Sequence, residues 1–167
     1  EAVVDQQLRG RGRRPRLRTS PLYRCRMSQS DISADLIEAY EAAEYRVDTA
    51  PHPILFRVRR HAPALERLIA DAGEESAVFV TAYNPFSQPH DEAANSAAHE
   101  RLRRRLAGLT AKLFEAAGVD PAGEWPPEHG YLALGVALAD AQAVGREFRQ
   151  NAIVWIDRSG VPQLMLL

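Results

Sequence analysis

The stretch Ser76-Ala-Val-Phe-Val-Thr-Ala-Tyr-Asn-Pro-Phe-Ser-Gln-Pro-His90 decides the fold. Its first half is a short apolar run rich in β-forming residues, the pattern of a buried strand over Ala77–Ala82. Its second half breaks into a polar turn punctuated by Pro85 and Pro89. A helical pattern starts near Asp91, with Ala94, Ala98, Leu102 and Leu106 at four-residue spacing and Gly108 closing it. A buried strand that delivers Asn84, Ser87 and Gln88 to its carboxyl end is where α/β and α+β folds build sites.

Upstream, Ser33 to Ala43 reads as a helix, with Leu36, Ile37 and Tyr40 on one face and Asp31 or Ser33 as its cap. Tyr45–Val47 and Ile54–Val58 read as a hairpin around Pro51 and Pro53. Pro63 sits at a first helical position, ahead of the stripe Leu65, Leu68, Ile69, Ala72 and the capping Gly73. Downstream, Thr110–Glu115 is ambiguous; the preceding Gly108 and the need for the chain to return favour a strand. Gly118–Pro127 reads as irregular, Tyr131–Val136 as a strand, Ala139–Phe148 as a helix and Ala152–Ile156 as a strand. Asp157–Gly160 is a tight turn into a last strand, Gln163–Leu167.

From Ala77 the order is strand, helix, strand, strand, helix, strand, the split βαβ pattern. The expectation is a single α+β domain over residues 31–167. It has a ferredoxin-like core and a mainly antiparallel sheet, preceded by a helix and hairpin and extended by the C-terminal hairpin. In that topology Ala77–Ala82 lies between Tyr131–Val136 and Ala152–Ile156. The Asn84–Pro89 turn, Pro127–Gly130 and Arg149-Gln-Asn151 then meet at one edge, beside the amino terminus of the Asp91 helix with its free amides.

Composition bounds the function classes. Apolar residues are 46% and charged residues 26% of 167, ordinary for one globular domain. No apolar run approaches the roughly 18–20 residues of a membrane-spanning helix. Residues 1–26 carry eight arginines against Glu1 and Asp5, a net of +6, and the rest carries −7. That basic segment reads as a phosphate-binding arm, as an organellar transit peptide, or as upstream GC-rich sequence ahead of a start at Met27. It lacks the apolar periodicity of a folded segment, which predicts disorder. Cys25 is the single cysteine and falls within it, so the domain has no disulfide, thiol nucleophile or cysteine metal site. This matches a cytoplasmic protein.

The candidate ligand-binding residues are Asn84, Ser87, Gln88, Asn95, Glu128, Gln150 and Asn151. They are mostly neutral hydrogen-bonding groups, suited to orienting a polar ligand; the competing reading is that they lock turns. Glu124 and Glu128 flank Trp125-Pro-Pro127. Either would serve as a general base if desolvated, and the plainer reading is a solvated loop stapled by Trp125 to the core. His90, Asp91 and His99 do not make a metal site, because nine residues along a helix place the two imidazoles on opposite sides. Ser87 and His90 lack a nucleophile-elbow context. Arg101, Arg103, Arg104 and Arg105 read as a solvated helix face, because the domain is acidic and no aromatics interleave, which argues against nucleic acid. No cofactor is implied, since no glycine-rich phosphate loop is present.

Together, Thr81-Ala-Tyr-Asn-Pro-Phe-Ser87, Asn95, Trp125-Pro-Pro-Glu128 and Phe148-Arg-Gln-Asn-Ala-Ile-Val-Trp155 resemble a bacterial family, the domain of unknown function numbered 3293. The resemblance runs over roughly Leu36–Leu167. It implies domain limits and a site location, with no assigned activity. Where that pattern has Glu, any residue, then Ser, this chain has Glu128-His-Gly130 and so lacks the hydroxyl.

Three functions follow as expectations. The first is a binding domain for a polar small molecule or peptide at this edge. The second is a hydrolase or transferase with Glu128 as general base and the Asn84 and Asn151 amides stabilising an oxyanion. The third is an interaction module, or an oligomer, pairing through the Gln163–Leu167 edge.

Overall fold

The structure, a computed structural model, describes residues 32–167. The basic segment 1–26, with Cys25, and Met27 lie outside the described residues. The elements run α1 (Ala34–Ala42), β1 (Glu44–Val47), β2 (Ile54–Phe56), α2 (Pro63–Asp71), β3 (Ser76–Thr81), α3 (Glu92–Ala107), β4 (Leu113–Val119), β5 (Glu128–Leu134), α4 (Leu138–Glu147), β6 (Ala152–Asp157) and β7 (Gln163–Leu166). A short 3₁₀ turn, Pro85–Ser87, separates β3 from α3.

Local chemistry sets several of these boundaries. The Ser33 side chain accepts from Leu36 N at 3.2 Å to start α1. Pro63 occupies the first position of α2, where its missing N–H costs no helical bond. Asp91 caps α3, its carboxylate accepting from Ala94 N at 2.7 Å.

The strands form one antiparallel sheet in the order β2-β1-β4-β5-β3-β6-β7, giving a mixed α+β fold. β3 is central, with Val80 opposite Tyr131 on β5 and Phe79 opposite Val154 on β6. Five of its six residues are buried because helices cover both sheet faces. Ala77 and Phe79 join a core with Leu65 and Ile69 of α2. Val78 and Val80 join a second core with Leu102 and Leu106 of α3 and Val144 of α4. Removing this apolar surface from water is the main stabilising term.

Three expectations need correction. β4 begins at Leu113 and runs through Gly118 to Val119, so the irregular segment is shorter than expected. The Tyr45 ring packs beside Gly118, within ordinary contact of where a Cβ would sit. β5 begins at Glu128, three residues early, because Glu128, His129 and Gly130 pair with Gly118, Ala117 and Ala116. Trp125 does not staple its loop to the core: it is 63% exposed.

Candidate functional site

The turn after β3 is built on unusual backbone. Asn84, Phe86 and Ser87 have φ of 48°, 53° and 56°, in the left-handed region, and Arg149 has 54°. Arg59 is the one other non-glycine residue with positive φ among the described residues. Asn tolerates this conformation; for Phe, Ser and Arg it costs about 1–2 kcal/mol each. Two of the strained corners are joined, because Phe86 N donates to Arg149 O at 2.7 Å. Left-handed side chains gathered at one edge are the kind of strain that clusters at functional sites.

Side-chain amides hold the turn. Asn84 Nδ2 donates to Glu128 Oε1 at 2.7 Å, tying the end of β3 to the start of β5. Asn84 Oδ1 accepts from His90 N at 3.0 Å and from Asn95 Nδ2 at 3.1 Å. Asn95 Oδ1 accepts from Asn84 N at 3.0 Å, so the two asparagines clasp each other. Asn95 is only 5% exposed, with every polar contact inside the chain. A buried amide is tolerable only when so satisfied.

A second set lies behind it. Asn151 Nδ2 donates to Ser87 Oγ at 3.1 Å and to Tyr40 OH at 3.4 Å, and the two hydroxyls lie 2.8 Å apart. Gln150 Nε2 donates to the carbonyls of Tyr83 and Phe148 at 3.1 and 3.2 Å. The structure therefore brings Asn84, Ser87, Asn95, Glu128, Gln150 and Asn151 to one edge. Gln88 is exposed there, without a side-chain hydrogen bond to another described residue. At the amino terminus of α3 the Asp91 carboxylate accepts from the Ala94 amide, and the Asp91 carbonyl takes the first helical bond from Asn95 N.

Glu128 is the one carboxylate of the set. Burial pushes its carboxyl above the ordinary glutamate range, and the Asn84 hydrogen bond opposes that shift only in part. No ion pair among the described residues includes it.

Two features go beyond the sequence reading. Tyr40 enters from α1, and nothing in its local pattern marks it as more than a helix-face residue. Trp125 is presented on an ordered loop: Asp120 accepts from the backbone N–H groups of Ala122, Glu124 and Trp125, led by Ala122, which holds its carboxyl below the usual range.

Of the remaining candidates, His90 and Asp91 join this edge through the Asn84 contact and the α3 cap. His99 stacks on Tyr131 with ring centroids 4.4 Å apart and contacts Glu115 at 3.3 Å. Among the described residues no group of three or more His, Cys, Asp or Glu is placed to hold a metal. Arg103 and Arg105 pair with Glu100 and Glu147. No described helix is long and apolar enough to cross a membrane.

Gly130 explains why its position tolerates no side chain here. A Cβ would run into the Val80 carbonyl oxygen and lie 3.0 Å from the Phe79 ring.

Residues 80–153 match the family described as "Protein of unknown function (DUF3293)". That segment runs from the end of β3 to the start of β6 and contains the Asn84–Glu128 contact. No curated protein and no solved structure matches the chain.

Proposed function

Taking residues 80–153 as the DUF3293 segment, we propose that the chain is a binding domain that holds a polar small molecule or peptide at the Asn84–Glu128 edge. The observation that carries this reading is the strained Asn84–Ser87 turn, welded to Arg149 and placed against a desolvated carboxylate. Such strain is retained where surrounding structure enforces it, and a turn needed only for chain reversal has cheaper sequences. The reading takes β3-α3-β4-β5-α4-β6 as a ferredoxin-like core, supported by the neighbour order β4-β5-β3-β6. That core places the β3–α3 turn and the start of β5 side by side.

A thermal-shift screen of metabolites and short peptides on the full chain tests the proposal, followed by titration of any hit. Asn84→Ala and Asn151→Ala should weaken binding of the hit. Unchanged affinity in both variants would sink the site.

A catalytic variant of the same site draws support from the Glu128 carboxyl, which burial raises above the ordinary glutamate range, the direction a general base needs. Under that reading Glu128→Gln keeps the ligand and loses turnover; under the binding reading it changes affinity alone.

A further inference from the structure

The hydrogen-bond inventory of the edge narrows what it can accept. Asn95, Gln150 and Asn151 each use both amide hydrogens inside the chain. Asn84 gives one of its two to Glu128. The backbone N–H groups of Asn84, Phe86, Gln88 and His90 are engaged as well. In the first turn of α3 the Asp91 carboxylate takes the Ala94 amide, and Glu92 follows. Donors at this edge are mostly committed, and the acceptors include a carboxylate.

That carboxylate has a neutral amide for a partner and no counter-charge among the described residues. Arg149, exposed at the adjoining corner, does not pair with it. Two large aromatic side chains are exposed close by in the chain. Phe86, two residues from Asn84, is 53% exposed, and Trp125, three residues before Glu128, is 63% exposed on the loop that Asp120 orders.

Resting on the reading of this edge as a ligand site, we infer that its ligand carries an organic cation, a guanidinium or ammonium group, paired with Glu128. A partly buried carboxylate lacking a counter-charge gains more from a cation than from any neutral group. Phe86 and Trp125, exposed within three residues of Asn84 and Glu128 along the chain, carry faces that favour the same ligand, guanidinium above all. An anion would instead meet the Glu128 carboxylate with few free donors to offset it.

Three capped amino acids test this on the full chain by nitrogen–proton NMR titration: N-acetyl-arginine amide, N-acetyl-citrulline amide and N-acetyl-glutamate amide. Citrulline has the shape of arginine without its charge. The arginine compound should shift the Asn84 and Glu128 amides and the Trp125 indole. It should bind about tenfold or more tighter than the citrulline compound, the range for a charge-assisted pair. Glu128→Gln should abolish that preference while keeping the wild-type spectrum elsewhere. Trp125→Ala, at an exposed site that does not endanger folding, should weaken the arginine compound several-fold. Equal binding of the citrulline compound, or tighter binding of the glutamate compound, at this edge overturns the cation class and leaves the ligand-site reading standing. Absence of shifts at the edge with all three overturns both.

Discussion

Asn84 and Glu128 lie 44 residues apart in sequence, yet the Asn84 amide donates to the Glu128 carboxylate at 2.7 Å. Asn84 opens the turn after the central strand and Glu128 opens the neighbouring strand, so this contact ties together the two ends of the candidate site. The same Asn84 holds a left-handed backbone with φ of 48° and binds His90 N. Backbone and side chain are therefore separable by mutation. Asn84→Gly keeps access to the left-handed region and loses the side-chain bonds; Asn84→Ala loses both. We expect Ala to be less stable than Gly by about 1 kcal/mol, and both to be less stable than wild type by about 1–3 kcal/mol. Urea unfolding of the three proteins measures it, and Ala equal to or more stable than Gly would refute the strain assignment.

Glu128 gives a pH signature. Its folded carboxyl lies above the ordinary value of 4.5, because burial disfavours the charge. The folded protein therefore holds this proton more tightly than the unfolded chain. Its contribution is present in full below pH 4.5 and is lost as pH rises through the raised folded value. Relative to Glu128→Gln, the wild type should lose stability across that rise. The difference must be taken between the two proteins, because Asp120 and Asp157 are shifted downward and titrate with the opposite sign. Parallel stability curves from pH 4 to 8 would show that Glu128 is not desolvated.

Much of this geometry was legible in the sequence, and the failures have physical causes. Pro63, Asp91 and the β3 run carry local signals strong enough to fix their elements. β5 was placed late because Glu128-His-Gly130 has poor strand propensity; pairing with Ala116–Gly118, a tertiary effect, makes it a strand. The sequence stripe of α3 begins at Ala94, which is exposed, whereas Asn95 is the buried residue. A polar side chain at a core position reads as an error until its partner Asn84 is known. Phe86 at φ 53° has no sequence signal at all, since nothing about Phe favours that conformation.

α1 contributes no buried residue, yet Tyr40 reaches the site through Ser87 and Asn151. Its attachment rests in part on that hydroxyl and on the bond from Tyr45 OH to Tyr40 O at 3.1 Å. Tyr40→Phe should loosen the helix by about 1 kcal/mol. Hydrogen exchange of the α1 amides should then quicken while β3 amides stay protected. Unaltered α1 exchange would show that the helix does not depend on this contact.

Gly130→Ser supplies the hydroxyl that the chain lacks. The new Cβ meets the Val80 carbonyl and the Phe79 ring, so β3 and β5 must separate or bend. A loss of about 1–3 kcal/mol is expected from this overpacking. A neutral or stabilising result in thermal unfolding would mean that the strands yield more readily than this close approach implies.

β7 is an edge strand, with Leu166 47% exposed beside a cleft of about 320 Å³ lined by Ile37, Glu41, Arg59, Gln163 and Leu164. Unpaired edges of this kind recruit a further strand. If two chains pair there, sedimentation velocity should show a dimer that grows with concentration and is diminished by Leu166→Lys. A concentration-independent monomer refutes the pairing.

The bond from Phe86 N to Arg149 O also bears on how the chain assembles. Each partner holds an unfavourable backbone state that local sequence does not favour, and the bond between them spans a long loop. Neither corner gains from forming alone, so both should close only after β6 has docked beside β3. Substitutions in residues 84–87 are thus expected to speed unfolding and leave the folding rate almost unchanged, making this edge a late and easily reopened part of the native state.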